Sequence, residues 1–156
     1  MSTKPMTRMS IDDYFLNMAR LASLRSTCRR RQVGCVLVDK SNHVVATGYN
    51  GVPRGFLHCL DHPCQGADAK SGTRLTECWA VHAEMNAMLQ LQSTDELTAY
   101  LTVTPCFDCA KVIANSNITR IVAPVWYPQE GVGAVLSYAE IVVDIREVNE
   151  WTSLNP

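Results

Sequence analysis

No stretch of this 156-residue chain approaches the roughly 20 consecutive apolar residues that a membrane-spanning helix needs; its longest apolar runs are strand-sized. Residues 1–10 lack the apolar segment of a secretory leader, so a cytosolic chain that meets no membrane is expected. An excess of charge of either sign is missing too, since 14 Lys and Arg against 15 Asp and Glu leave a formal net charge of −1. That balance gives no global attraction for a polyanion, and stable nucleic-acid binding would have to come from a local basic patch. A small anionic substrate fits better. Internal repeats and low-complexity segments are absent as well. At 47% hydrophobic, the chain suits one globular domain over residues 1–156, with Asn149 to Pro156 reading as a short tail.

Cysteine, by contrast, is plentiful. Seven residues, an odd number, in a chain expected to be cytosolic point to metal ligands and buried thiols before disulfides. Two short motifs concentrate the chemistry: His82-Ala83-Glu84 and Pro105-Cys106-Phe107-Asp108-Cys109. Together they offer one imidazole, two thiols and a carboxylate left over. A structural zinc site is closed by four protein ligands, whereas His82, Cys106 and Cys109 leave the fourth position open, as in a catalytic site. Cys106 and Cys109 stand at i and i+3, so a helix beginning near Cys106 puts both sulfurs on one face of its first turn. Taken alone, C-x-x-C could equally be a redox dithiol, and a structural zinc module is the other competing reading. The combination H-x-E…P-C-x-x-C is the signature of zinc nucleobase deaminases.

Periodicity supplies the frame. Ser10 with Asp12 and Asp13 reads as a capped helix start, and Ile11, Tyr14, Phe15, Met18, Leu21 and Ala22 recur at helical spacing, predicting a helix over 10–25. Strands are expected at Gly34–Asp39 and His43–Gly48, joined as an antiparallel hairpin through Lys40-Ser41-Asn42. Tyr49 to Glu77 is a long loop that needs a pin, for which a metal is the expectation. A helix over Val81–Gln92, a strand over Thr98–Thr104, a helix over Cys106–Asn115, a strand over Ile118–Ala123, a helix over 132–139 and a strand over Ile141–Val148 complete the order. The expected fold is α/β, a single-domain α-β-α sandwich on a mixed five-stranded sheet with helices on both faces and three parallel strands. Ligands in such sheets collect beyond the carboxyl ends of parallel strands, where Thr104-Pro105-Cys106 falls.

Through these motifs the chain resembles the cytidine deaminase superfamily and, within it, the deoxycytidylate (dCMP) deaminases. The resemblance extends to Leu24-Arg25-Ser26-Thr27-Cys28, to Gly48-Tyr49-Asn50-Gly51-Val52-Pro53-Arg54-Gly55 followed by His58-Cys59, to Asn86 and to Thr102-Val103-Thr104. It implies hydrolytic deamination of dCMP to dUMP and ammonia, feeding thymidylate synthesis. Zinc at His82, Cys106 and Cys109 acidifies a water in that chemistry, and Glu84 carries protons to N3 and then to the leaving amine. Substrate contacts are implied at Arg25, for the phosphate, and at Asn50, Ala83, Thr104 and Tyr127. On local chemistry alone, Asn50 could instead hold a left-handed turn, Trp126 covers the core, and Arg29 to Arg31 read as a solvated helix end.

Cys28, Cys59, Cys64 and Cys78 form a second candidate metal cluster; the resemblance implies the structural zinc that many dCMP deaminases carry, with Cys28 and Cys59 at the expected positions, and Cys64 and Cys78 would close a four-sulfur site. His58 or His62 could replace Cys64 or Cys78, and buried unligated thiols are the plainer alternative; Cys35, mid-strand, reads as packing. The resemblance also implies a homohexamer activated by dCTP and inhibited by dTTP, with an effector site near Gly48, Asn50, Gly51 and Asn86. Asn86 could equally be a surface contact between subunits. The competing functions are a tRNA or other nucleobase deaminase, against which the charge balance argues, and a non-catalytic zinc-stabilised module, against which Glu84 argues.

Overall fold

The computed structural model describes residues 8–93 and 95–148, so the expected tail at 149–156 lies outside the described residues. Four helices and five strands follow in the order α1 (Ile11–Ser23), β1 (Gly34–Asp39), β2 (Val44–Tyr49), α2 (Ala83–Met88), β3 (Leu97–Leu101), α3 (Phe107–Ala114), β4 (Ile118–Ala123), α4 (Val132–Tyr138) and β5 (Val142–Ile145). The sheet order is β2-β1-β3-β4-β5. β1 runs antiparallel to both β2 and β3, while β3, β4 and β5 are parallel. Element order, mixed sheet and the three parallel strands are those expected from the sequence. Among the described residues no helix is long and apolar enough to cross a membrane.

The sheet separates two apolar layers. On one face Phe15, Leu16 and Ala19 of α1 pack against Val36, Val38, Tyr100 and Val122. On the other, Cys35, Leu37, Ala99, Leu101 and Ile121 meet small or branched residues of the remaining helices, among them Ala83, Ala87, Ala110, Ile113 and Leu136. Cys35 is thus a core residue. β1 is buried along nearly its whole length and β2 alternates, which is what central and edge strands do.

Among the boundaries that differ from expectation, the end of β5 at Ile145 instead of Val148 included, three have a visible physical reason. α2 starts at Ala83, not Val81, because Val81 exchanges two backbone hydrogen bonds with Gly51 (2.8 and 3.1 Å) and His82 remains extended as the N-cap. It ends early because Gln90 and Leu91 turn back onto Ala87 and Met88. β3 stops at Leu101, so that Thr102 to Pro105 form a connector. The long segment after β2 is closed at its neck by the Gly51–Val81 bridge and holds one short 3₁₀ turn at Leu75–Glu77. Backbone pairing pins the loop at that neck. Within it, Arg30 Nη2 donates to the carbonyls of Lys70 (2.8 Å) and Thr73 (2.9 Å).

A polar network ties the start of α1 to the parallel strands. Ser10 caps the helix through the Asp13 amide. Arg120 of β4 donates to both carboxylate oxygens of Asp12 at 3.0 Å and to Asp144 of β5 at 2.7 Å, and Tyr100 donates to Asp12 at 2.7 Å. Arg146 reaches Asp13 at 2.8 Å. The Arg120 guanidinium holds the Asp12 carboxyl below its ordinary range, and Arg146 does the same for Asp13.

Asp12→Asn removes the charge that Arg120 answers, and at neutral pH it should destabilise the fold by about 1–3 kcal/mol, measured by denaturant midpoints. Because the folded pKa of Asp12 lies below its unfolded value, this stability is present above about pH 4 and is lost as pH falls through the folded pKa. The gap between wild type and variant should therefore narrow below about pH 4; a gap independent of pH would assign the network a packing role only.

Candidate active site

Two helix starts face one another at the carboxyl end of the parallel strands. His82 is the N-cap of α2 and Cys106 the N-cap of α3, both extended, and Cys109 lies in the first turn of α3. The side chain of Gln129 accepts from the Phe107 amide at 2.8 Å and closes that helix start. His82 Nδ1 stands 3.3 Å from each of the two Sγ atoms. A zinc ion at ordinary bond lengths in a tetrahedral site separates a nitrogen from a sulfur ligand by about 3.6 Å. The donor set and its spacing therefore fit zinc. Among the described residues this trio is the one group of three or more His, Cys, Asp or Glu side chains whose ligand atoms converge.

The electrostatics suit a cation. The surroundings favour the thiolate of Cys106, its pKa pushed down to about 4, chiefly by the hydrogen bond from Cys109 with further help from His82. Cys109, which gives that hydrogen bond, is shifted upward. Glu84 is only 5% exposed, and burial raises its pKa. A carboxyl in such a setting holds a proton more readily than one in water, as a group that must both take and return one requires.

A cavity of about 270 Å³ opens above this trio. Its floor includes His82, Ala83, Glu84 and Cys106, and Thr104 and Tyr127 form part of its wall. Thr104 Oγ1 accepts from the Tyr127 amide at 2.7 Å, which pins the loop after β4 to the end of β3. Asn50, 6% exposed, also lines the cavity, and its side chain is heavily engaged: Oδ1 accepts from Ser26 Oγ (2.7 Å) and the Val33 amide (2.8 Å), while Nδ2 donates to the Arg31 carbonyl (2.7 Å). Asn50 does not adopt the left-handed conformation. It clamps the chain between α1 and β1, and Ser26 and Thr27 of the Leu24–Cys28 stretch serve that clamp. Only one of its two amide N–H bonds is used in these contacts.

The basic residues fall differently from expectation. Arg25 is exposed and does not line the cavity, whereas Arg30 and Arg31 do. The Arg31 guanidinium lies 5.9 Å from the Tyr127 ring centroid. Arg25 extends from the chain just past the end of α1, and the chain must turn at Ser26 before it meets the cavity. Sequence reasoning also missed Gln129, Asp108 as a cavity residue, and Ser71 and Gly72 of the long loop, which hang over the cavity from the far side. No local pattern marks them, because the tertiary fold alone brings them there.

The remaining candidates are scattered. Cys59 and Cys64 approach to 3.8 Å between sulfurs, Cys28 and Cys78 line the main cavity, and no three of these cysteines, with or without His58 and His62, converge. Gly48 is a packing residue: a Cβ there would lie 2.1 Å from the Ala83 carbonyl oxygen. Gly51 carries the bridge to Val81, and Asn86 donates to the Tyr49 carbonyl at 2.8 Å, tying α2 to β2.

The chain matches the family model described as the cytidine and deoxycytidylate deaminase zinc-binding region over residues 9–125, a span that contains the trio, Glu84 and Asn50. It is 42% identical over 126 residues to a deoxycytidylate deaminase of Mycobacterium phage D29, covering 76% of this chain and 98% of that one. It is 41% identical over 120 residues to the deoxycytidylate deaminase of Schizosaccharomyces pombe, covering 74% of this chain and 37% of the yeast protein. The share of the Saccharomyces cerevisiae deoxycytidylate deaminase is 38%, so the chain spans little more than a third of these yeast relatives. Among solved structures, a dCMP deaminase of cyanophage S-TIM5 in complex with dCMP and dUMP superposes with a TM-score of 0.73 at 25% identity, covering 90% of this chain and all of the phage chain. With the His82–Cys106–Cys109 trio inside the matched span, the chain belongs to the zinc-binding cytidine and deoxycytidylate deaminase family.

Proposed function

We propose that this protein hydrolyses dCMP to dUMP and ammonia, with Glu84 as the proton carrier and His82, Cys106 and Cys109 as the zinc ligands. The observation that carries this is a buried carboxylate beside an open His-Cys-Cys trio, on the floor of a cavity whose lining includes two arginines. The phage and yeast relatives named as deoxycytidylate deaminases, and the phage structure holding dCMP and dUMP, support the choice of substrate.

Zinc at the trio supplies an acidified water and a Lewis-acid centre. The chain's own groups do the rest. Glu84 takes one proton from water and places it on N3 of the cytosine as the C4–O bond forms. It then passes the second proton to the amine, the C4–N4 bond breaks, and ammonia leaves uracil behind. Asn50's remaining N–H and the backbone around Ala83 and Thr104 orient the nucleotide. Tyr127 covers it, and the phosphate faces the arginine-bearing wall. The small cavity and the net charge of −1 favour a free nucleotide over a polymer.

The finer parts of this reading have separate supports. A second, structural zinc at Cys28, Cys59, Cys64 and Cys78 is supported by the 3.8 Å contact of Cys59 with Cys64, the separation of about 3.8 Å that two thiolates take on one zinc. Activation by dCTP, inhibition by dTTP and a hexameric assembly rest on the resemblance of the Gly48–Gly55 stretch and Asn86 to regulated dCMP deaminases.

Glu84→Gln should retain its zinc while kcat on dCMP, followed by the loss of cytosine absorbance, falls by on the order of 10²- to 10⁴-fold. Near-normal turnover in a zinc-replete variant would sink the assignment. Elemental analysis of the purified protein should find two zinc ions per chain; one zinc together with four titratable free thiols would remove the second site and leave the first.

A further inference from the structure

An N-cap residue ordinarily turns a side-chain oxygen onto the first free N–H groups of its helix. Cys106 holds that place in α3 and makes no side-chain cap hydrogen bond. The missing acceptor arrives from a distant part of the chain. Gln129 Oε1 accepts from the amide of Phe107, the residue directly after Cys106, at 2.8 Å. The loop that delivers Gln129 is itself fixed: the Thr104 amide donates to the Val125 carbonyl at 2.9 Å, Thr104 Oγ1 accepts from the Tyr127 amide at 2.7 Å, and the Gln129 amide donates to the Tyr127 carbonyl at 2.9 Å. Two residues on, Gly131 takes a φ of +83° as the N-cap of α4, and a Cβ there would lie 2.8 Å from Cε2 of Phe107. Phe107 is therefore gripped twice from one loop, at its amide by a glutamine and at its ring by a glycine. The acceptor is also neutral. A carboxylate would cap the helix as well, but it would add an anion to a cavity that Gln129 lines together with Cys106 and Glu84.

We infer that Gln129 is a positioning residue for the metal: by holding the Phe107 amide it fixes the first turn of α3, and with it the place of the Cys106 and Cys109 sulfurs opposite His82. This deepens the reading of the trio as zinc ligands and rests on it. Gln129 acts on the site through the helix backbone, in the way that groups bonded around a metal's ligands orient them.

The test compares Gln129→Met, which keeps the length of the side chain and removes the carbonyl, with Gln129→Glu, which keeps an acceptor. Zinc occupancy of the trio is read from the His82 ring signals by NMR while a chelator competes. The zinc dissociation constant should rise about 10- to 100-fold in Gln129→Met and recover most of that loss in Gln129→Glu. Glu130→Gln, at an exposed neighbour in the same loop, should leave it within about 3-fold of wild type. In the metal-free protein the Phe107 amide should exchange with solvent faster in Gln129→Met than in wild type or Gln129→Glu. The thermal midpoint should move by no more than about 4 °C, the worth of one neutral hydrogen bond in a domain of this size. Unchanged zinc affinity in Gln129→Met, an equal loss in Gln129→Glu, equal Phe107 exchange in wild type and Gln129→Met, or a far larger fall in the midpoint would overturn the assignment. A wild type that takes no zinc at His82 would bring down the ligand reading, while Phe107 exchange in the metal-free protein still decides the role of Gln129.

Discussion

The site depends on how closely α2 can approach the sheet. Gly48 in β2 has no side chain, and Ala83 and Ala87 on the facing helix have small ones, so the helix backbone comes within what would be 2.1 Å of a Cβ on the strand. That approach sets the height of His82 above the sheet. α3 reaches the same height from the other side, because β3 ends at Leu101 and its connector delivers Cys106 where the parallel strands open. Two helix starts thus meet over a small area, and three ligand atoms converge without any of the three residues leaving its element. A methyl group at Gly48 would lift the imidazole away from the sulfurs before it changed any ligand.

Around that convergence the polar groups are divided by task. Asn50 spends most of its amide on holding the chain from Ser26 to Val33 in place, which is why the Leu24–Cys28 stretch lies where it does. Thr104 spends its hydroxyl on the loop carrying Tyr127. These residues build walls from backbone that would otherwise be free to move. Glu84 is the opposite case: a carboxyl kept from solvent, set beside the thiols. Rigid walls and one proton-handling group suit a reaction in which a small ring must be held still while protons change places.

Much of this was legible in the sequence because it depends on short-range patterns. The fold followed from strand-sized β-branched runs separated by helical periodicity, and the trio from i, i+3 cysteines preceded by a histidine at a helix start. The errors have one cause, the neglect of contacts distant in sequence. Val81 looked helical by composition, yet its pairing with Gly51 outweighs propensity and shortens α2. Arg25 and Arg30 are equally basic in the sequence; only the turn at Ser26, itself bonded to Asn50, decides which one meets the cavity. Of the four cysteines grouped by count, the fold brings Cys59 to Cys64 and sets Cys28 and Cys78 on the cavity wall, a placement that spacing alone does not give.

The bridge between Gly51 and Val81 has a wider meaning. It pairs the two ends of the long loop immediately before the metal ligand, so residues 52–80 form an excursion whose two feet stand on the same short ladder. The entropy of closing such an excursion rises only with the logarithm of its length. Insertions, deletions and wholesale exchange within it therefore leave the trio and Glu84 almost untouched while reshaping what hangs over the cavity. The molecule is in this sense divided into a floor held by the sheet and its helices and a roof hung from one short ladder, so the two answer to different constraints.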